Sequence, residues 1–157
     1  YLLILLWLFP SKIASEQLSY LNNELGWLAA NIYFEARNQG EIGMEIVRDV
    51  TLNRVQNGKY GIGPIGVITK RKQFSWTHQQ SWDSIQKRIR GSTSDLNTKD
   101  VLALQLSYKI ASEGLYGASR AIPEGVIYYH TTEVSPSWNK GLKPYGTYGL
   151  HVLYYGK

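Results

Sequence analysis

Glu35 is the residue of this chain best placed for acid–base chemistry, because it interrupts an apolar helical stripe. The stripe runs at three- and four-residue steps through Leu18, Leu21, Leu25, Leu28 and Ile32. Its next position is Glu35, so the pattern predicts a carboxylate that faces the core. An ionised carboxylate is costly to bury, so such a group either pairs with a cation or keeps its proton with a raised pKa. A raised pKa suits a general acid, whereas the structural alternative is a helix end paired with Arg37 or another cation.

A second carboxylate that would work with Glu35 is not evident. Glu41, Glu45 and Asp49 follow at helical spacing, and we interpret them as a polar, solvated face. Ordinary glycosidases use two carboxylates. One acid is enough when the substrate supplies the nucleophile, as when the C6 hydroxyl of a muramic-acid glycan attacks its own anomeric carbon. A single buried glutamate therefore favours a lytic transglycosylase mechanism.

Aromatic residues are abundant and several fall in segments that look like loops. The chain has five Trp and twelve Tyr. Trp76, Trp82 and Trp138, with nearby tyrosines, suit a groove for sugar rings, whose apolar faces stack on aromatic planes. The alternative is that most aromatic residues belong to the core and the sheet. We expect this for a second set, namely Trp27, Tyr128 and Tyr154.

Three histidines allow a rival chemistry. His78, His130 and His151 could, with a carboxylate, hold a zinc ion that activates water to cut an amide. No two of them have close ligand spacing, although neighbouring strands of a sheet can bring distant residues together. Histidines that only form hydrogen bonds are the simpler interpretation.

Composition predicts one domain with an anionic partner. The chain has 157 residues, 43% of them hydrophobic, which is enough for a single core. Its formal charge is +5, with basic clusters at residues 70–72 and 87–90. These clusters indicate a solvated face or contact with a polyanion. Cysteine is absent, which excludes thiol catalysis, disulfides and cysteine-based zinc sites.

The first 15 residues resemble an export signal. Residues 1–9 are uncharged and mostly apolar, and Pro10 and a stretch rich in small residues follow. Nine residues are too few to span a bilayer, which takes about 20, but they fit the apolar part of a signal peptide. We therefore expect residues 1–15 to be a signal or anchoring segment, with residues 1–9 available for transient membrane contact, and residues 16–157 to form the domain. The alternative is a buried first element.

The elements that must position these residues form an α+β domain. Periodicity predicts helices over residues 16–37, 41–56 and 98–112, the last with Asn97 as N-cap and an apolar face of Leu102, Leu106 and Ile110. Residues 59–97 read as a loop with short ordered pieces at 66–69 and 74–76. Residues 126–130 and 151–155 have strand character, and we expect them to pair antiparallel across a long loop over residues 131–150. The fold prediction is thus a helical lobe of about three helices with a small antiparallel sheet.

Together, the motifs resemble those of the SleB-type cell-wall hydrolases, a family that includes spore cortex-lytic enzymes and phage and bacterial relatives. The similarity covers residues 28–155, and its motifs follow the family's order. They are residues 32–37 (IYFEAR), 43–45 (GME), 52–55 (LNRV), 66–68 (GVI), 73–76 (QFSW), 129–131 (YHT), 134–138 (VSPSW) and 149–151 (GLH).

The resemblance implies a peptidoglycan-degrading domain with a lysozyme-like catalytic arrangement and with Glu35 as catalytic residue. We assign Trp76, Tyr129, His130 and Trp138 to substrate binding or to the support of the groove. Many members have a second acid where this chain has Gln39, which again favours a single-acid mechanism, and specificity for spore cortex does not carry over.

From these observations we expect a monomeric enzyme that cleaves peptidoglycan glycan strands without metal or cofactor. It would be exported to the envelope or secreted, or be phage-encoded, and it would not bind nucleic acid. The alternatives are a zinc-dependent N-acetylmuramoyl-L-alanine amidase, a label that such domains also attract, and a non-catalytic wall-binding domain.

Overall fold

The computed structural model describes residues 12–78, 81, 83–84 and 98–157, with side chains from residue 23 onward except that of His78. The described residues form four α-helices and three strands. They are α1 (Lys12–Ala36), α2 (Gly40–Asn57), α3 (Gly63–Thr69), α4 (Thr98–Leu115), β1 (Val126–Thr131), β2 (Pro144–Tyr148) and β3 (His151–Tyr155). This confirms the α+β prediction, with three long helices and a short fourth.

Several predictions from the sequence fall outside the described residues. They concern residues 1–11 of the export segment, Trp82, the basic cluster at 87–90 and the Asn97 cap. Within the described residues, no helix is both long and apolar enough to cross a membrane.

The apolar stripe of α1 forms the centre of the core. Leu25, Leu28 and Ile32 are buried against Met44 and Val47 of α2 and against Ile110 of α4. The stripe was predicted from its spacing, and the structure confirms it for these three residues. The expected face of α4 is only partly right. Leu102 is 58% exposed, because the contact of α4 with the core runs through Ala103, Leu106, Ser107 and Ile110 instead.

A buried polar network joins α1, α2 and a 3₁₀ turn over Ser75–His78. Asn31 donates from Nδ2 to Thr51 Oγ1 at 3.0 Å, and its Oδ1 accepts from Trp76 Nε1 at 2.8 Å. Thr51 in turn donates to the carbonyl of Val47. Since these buried groups have partners, the network fixes the turn against both helices without an unsatisfied polar group on Asn31 or Trp76.

The spacing of the acids suggested that Asp49 lies on a solvated face, but the structure shows that it is fully buried. Its Oδ1 accepts from Arg48 Nε at 2.7 Å, and its Oδ2 accepts from the backbone N–H groups of Ala121 and Ile122. The prediction failed because α2 is covered on this side by the segment between α4 and β1. Asp49 therefore holds that segment onto α2.

The sheet has the order β1-β3-β2, with both pairs antiparallel. The predicted pairing of β1 with β3 is confirmed. The expected loop between them contains β2, which the sequence did not reveal because Pro144 and Gly146 are unfavourable strand residues. Asn53 of α2 ties the sheet to the helices by donating to the carbonyls of Pro123 and Val126 at 2.8 and 2.9 Å.

Candidate active site

Glu35 lies in the last turn of α1 and reaches the inner face of the sheet. Its side chain is half-buried, and Oε2 accepts a hydrogen bond from the hydroxyl of Tyr129 at 2.8 Å. Burial raises the pKa of Glu35 above its ordinary value, while the Tyr129 hydrogen bond and the positive charge of Arg54 partly oppose that rise. Desolvation is the largest of the three effects, so the environment favours the protonated acid.

Arg54 of α2 is the buried cation near Glu35, whereas Arg37 is exposed and lies over the Tyr33 ring at 5.3 Å. The Arg54 guanidinium lies over the rings of Phe74 and Tyr60, 5.2 and 5.8 Å from their centroids. Its Nε donates to the carbonyl of Ile127 at 2.8 Å, but its buried Nη1 has no protein partner. Burial lowers the pKa of Arg54, although its neighbourhood of tyrosines and Glu35 works in the other direction.

An irregularity in β1 makes the contact with Arg54 available. The register with β3 shifts between Val126 and Tyr128, so Ile127 is an extra residue in the ladder. Its carbonyl is the acceptor of the Arg54 Nε hydrogen bond. The bulge thus links the sheet to the cation that lies near Glu35.

His151 lies beside Tyr129, with ring centroids 4.8 Å apart in an edge-to-face arrangement. Its side chain is fully buried, and neither ring nitrogen has a protein hydrogen-bond partner. Burial lowers the pKa of His151 to about 4. The ring is therefore neutral at physiological pH and packs as an apolar support under Tyr129.

The outer face of the sheet carries a second aromatic group, formed by Tyr128, His130, Trp138 and Tyr154. His130 Nδ1 lies 2.8 Å from the carbonyl of Thr131, so Nδ1 carries the proton and donates. Its Nε2 then accepts from Tyr154 Oη at 3.0 Å or Asn139 Nδ2 at 3.3 Å. Trp138 packs edge-on against the His130 and Tyr154 rings and remains 48% exposed.

The strand register separates the two histidines of the sheet. His130 is opposite Val152, and His151 is opposite Thr131. Residues that face each other across a ladder share a face and neighbours alternate, so the two imidazoles lie on opposite faces. They cannot bind one zinc ion together. Across the described part of the chain, no group of three or more His, Cys, Asp or Glu side chains is close enough to hold a metal.

Two clefts open near these residues. The aromatic cleft has a volume of about 420 Å³, and its lining is Asn57, Lys59, Tyr60, Tyr128, Trp138, Leu142 and Lys157. The helical cleft, of about 560 Å³, lies between the start of α2 and α4. Its lining is Arg37, Asn38, Gly40, Met44, Lys99, Asp100, Leu102, Ala103 and Leu106.

The position of Trp76 in a loop suggested that it lines a groove, but the structure buries it. It is only 7% exposed and stacks on Phe34, the neighbour of Glu35, with centroids 4.8 Å apart. The hydrogen bond from its Nε1 to Asn31 explains this burial, since the indole N–H finds its partner inside the core. Trp76 supports the end of α1 from below.

The profile of the Cell Wall Hydrolase family matches residues 38–154, about three quarters of the chain. The chain belongs to the cell wall hydrolase family. This confirms the family predicted from the motifs, and the general activity is that of a hydrolase of peptidoglycan at the cell wall. No curated protein and no solved structure matches the chain.

The match of this cell wall hydrolase begins three residues after Glu35, so the assignment of the catalytic residue depends on the site itself. Two of the five predicted site residues, Glu35 and Tyr129, are in direct contact. His130 and Trp138 contact each other on the outer face, and Trp76 lies beneath Phe34.

The sequence indicated no role for Arg54, which lies near Glu35, or for Tyr60, whose ring lies next to the Arg54 guanidinium. A signal for Arg54 was present, since it continues the buried α2 positions Val47, Val50 and Thr51 as Glu35 continues those of α1.

Proposed function

We propose that this cell wall hydrolase cleaves the glycan strand of peptidoglycan, with Glu35 as its single acid/base. The observation that carries the proposal is the position of Glu35. Its side chain is half-buried, accepts one hydrogen bond from Tyr129 and lies close to the charge of Arg54. A protonated carboxyl that is still partly exposed is the form that a general acid needs at neutral pH.

The reaction follows from the two protonation states of Glu35. The protonated acid gives its proton to the glycosidic oxygen as the bond from the anomeric carbon to that oxygen breaks. The carboxylate left behind then takes the proton of the hydroxyl that attacks the anomeric carbon. In a lytic transglycosylase that hydroxyl is the C6 hydroxyl of the same muramic sugar, and in a muramidase it belongs to water.

Tyr129 and Arg54 would favour the second half of this cycle. The Tyr129 hydroxyl already donates to Glu35, and a hydrogen bond to an ionised group is stronger than one to a neutral group. Arg54 has an unpartnered donor, Nη1, and its charge favours the ionised acid. Both residues would therefore stabilise the carboxylate once the proton has left.

The absence of an acid at position 39 supports the single-acid mechanism. Gln39 donates from Nε2 to the backbone carbonyl of Glu35 at 3.3 Å, so its side chain braces the end of α1. A neutral amide at this position cannot act as a second catalytic base. This observation favours the lytic transglycosylase over the muramidase.

For substrate contact, we retain Trp138 as the exposed aromatic surface and His130 as the residue that orients it. Trp138 can stack on an apolar sugar face, and His130 is held by Thr131 on one side and Tyr154 on the other. Trp76 has a supporting role beneath Phe34. We further propose that the enzyme is a monomer exported by residues 1–15.

Digestion of purified peptidoglycan followed by mass spectrometry tests the proposal. Anhydro-muramic ends are the expected product, while reducing ends would assign a muramidase or a glucosaminidase. The Glu35→Gln variant should release no product, and Glu41→Gln, which changes an exposed acid on α2, should digest like the wild type. Release of peptides from the glycan, if a chelator inhibits it, would instead identify a zinc amidase and overturn the proposal.

A further inference from the structure

The aromatic cleft combines an aromatic wall with a positive rim. Tyr60, Tyr128 and Trp138 supply the wall, and the hydroxyls of the two tyrosines are hydrogen-bonded to each other. The Trp138 ring lies 5.8 Å from that of Tyr128 and stays half-exposed. The wall is therefore preformed, since contacts among its own rings hold it in place.

The rim is formed by lysines. Lys59 and Lys157 line the cleft, and Lys70 donates to the backbone carbonyl of Lys59 at 2.7 Å while lying over the Tyr60 ring. No acidic side chain occurs among the described residues that line the cleft. Burial and the bond to Tyr128 raise the pKa of Tyr60 to about 12, so its hydroxyl does not offset the lysine charges at neutral pH.

The buried side chain of Arg54 lies between the aromatic cleft and Glu35. Tyr60 forms part of the cleft wall, the Arg54 guanidinium lies 5.8 Å from its ring, and the Arg54 charge acts on Glu35. Because Glu35 meets the inner face of the sheet and the cleft opens on the outer face, the cleft would bind a part of the substrate that projects away from the scissile bond. A neutral sugar ring needs the aromatic wall but not the lysines.

We propose that the aromatic cleft binds the peptide stem of peptidoglycan, with Lys59 and Lys157 pairing with its carboxylates and Trp138 packing on its apolar atoms. This inference rests on the proposed function, extends it from the glycan to the peptide, and moves Trp138 from contact with a sugar ring to contact with the stem. The stem is the part of the substrate that carries carboxylates, and the charge of the rim complements it. The cleft volume of about 420 Å³ is within the range of small-ligand sites.

Equilibrium binding to the Glu35→Gln variant tests the inference without turnover. The probes are glycan strands of equal length, free of phosphate polymers, one set with peptide stems and one from which a purified amidase has removed them. The lactyl carboxylates that the amidase exposes in the second set are converted to neutral amides before the measurement. We expect stem-bearing strands to bind up to about tenfold more tightly at low salt, since two exposed ion pairs, each a factor of roughly 1.5 to 5, are gained together. High salt should reduce the difference.

The added substitutions Lys59→Gln and Lys157→Gln should bring the affinity ratio of the two strand types close to one. The matched control combines Lys99→Gln and Lys140→Gln, which remove the same charge from outside the aromatic cleft. This control should keep the full ratio. Loss of the ratio in the control, or its survival in the first pair, would overturn the assignment of the cleft.

A third set of strands, stem-free but carrying a phosphate polymer, separates the stem from another anion. Tight binding of this set that depends on Lys59 and Lys157, with no preference for stems, would assign the cleft to the phosphate polymer and overturn the inference. Failure of the proposed function is distinguishable, since it appears as glycan cleavage by Glu35→Gln while the stem preference is measured separately.

Discussion

Asp49 and Glu35 are two acids placed at buried positions of neighbouring helices, and their surroundings differ in how completely they satisfy a carboxylate. Asp49 is fully buried and accepts from Arg48 and from two backbone N–H groups. Glu35 is half-buried and accepts one side-chain hydrogen bond, from Tyr129. The nearby cation Arg54 donates from Nε to the carbonyl of Ile127 instead of to Glu35.

The difference supports the proposal that Glu35 is the catalytic acid and that Asp49 has a structural role. A carboxylate with several donors and a contacting arginine fixes the chain around it. A carboxyl with one donor and strong desolvation has a raised pKa and can exchange a proton with a substrate. Full satisfaction at Asp49 and partial satisfaction at Glu35 therefore predict opposite responses to the same amide substitution.

The largest effect is expected for Glu35→Gln. Loss of a general acid should reduce the rate of glycan cleavage by about 10²- to 10⁴-fold, because the amide cannot donate a proton to the leaving oxygen. The measurement is the initial rate of product release at constant substrate. Retained cleavage with an intact fold would remove Glu35 from the catalytic role.

The same variant should not lose stability. A raised pKa in the folded state means that the Glu35 contribution is fully present below its unfolded pKa and is lost as pH rises through the folded pKa. Glu35→Gln removes that loss, so its unfolding free energy should fall less steeply with rising pH than that of the wild type.

Asp49→Asn should show the opposite behaviour. It leaves Arg48 buried without its counter-charge and weakens the hydrogen bonds to Ala121 and Ile122. We expect a loss of about 3–5 kcal/mol in unfolding free energy, the range for a broken buried ion pair. Urea denaturation measures it, with the exposed Glu41→Gln as control. Cleavage per folded molecule should stay close to that of the wild type, and a specific loss of activity would contradict the comparison.

Residue spacing was sufficient to predict the three long helices and the inward position of Glu35, but the short helix α3 was predicted only as an ordered piece of a loop. The long helices depend on periodicity within one element, as Leu28, Ile32 and Glu35 show, whereas the pairing of β1 with β3 was predicted from their strand composition. The partner of Glu35 could not be read in this way. Tyr129 is 94 residues away, and the contact exists only because the sheet packs against the end of α1.

The errors have the same origin. Asp49 continues a polar pattern with Glu41 and Glu45, yet the segment at residues 119–122 covers it. Trp76 lies in a turn without apolar periodicity, yet Asn31 provides a buried acceptor for its indole N–H. Both placements depend on contacts between residues far apart in sequence, which a local pattern does not contain.

A smaller effect, a loss of about 3 kcal/mol in unfolding free energy on acidification, is expected from His151, a buried group without protein hydrogen bonds. Its folded pKa of about 4 lies below its ordinary value, so its contribution is present above about pH 6.5 and is lost as pH falls towards 4. His151→Phe keeps the ring contact with Tyr129 and should remove this loss. Unfolding curves in the Glu35→Gln background measure it without the opposite slope of Glu35. An unchanged acid slope would show that His151 is already hydrated.

The smallest effect is expected for Tyr129→Phe, which removes the one side-chain hydrogen bond of Glu35. Stability should fall by about 1 kcal/mol, the net value of such a bond. Because the Tyr129 hydroxyl lowers the pKa of Glu35, its removal should raise that pKa further. The proposed mechanism requires the protonated acid, so the alkaline limb of the kcat/KM profile should move to higher pH. Tyr128→Phe is the matched control, since its hydroxyl bonds to Tyr60. A limb that stays in place in Tyr129→Phe, or that moves equally in both variants, would mean that a group other than Glu35 supplies the proton.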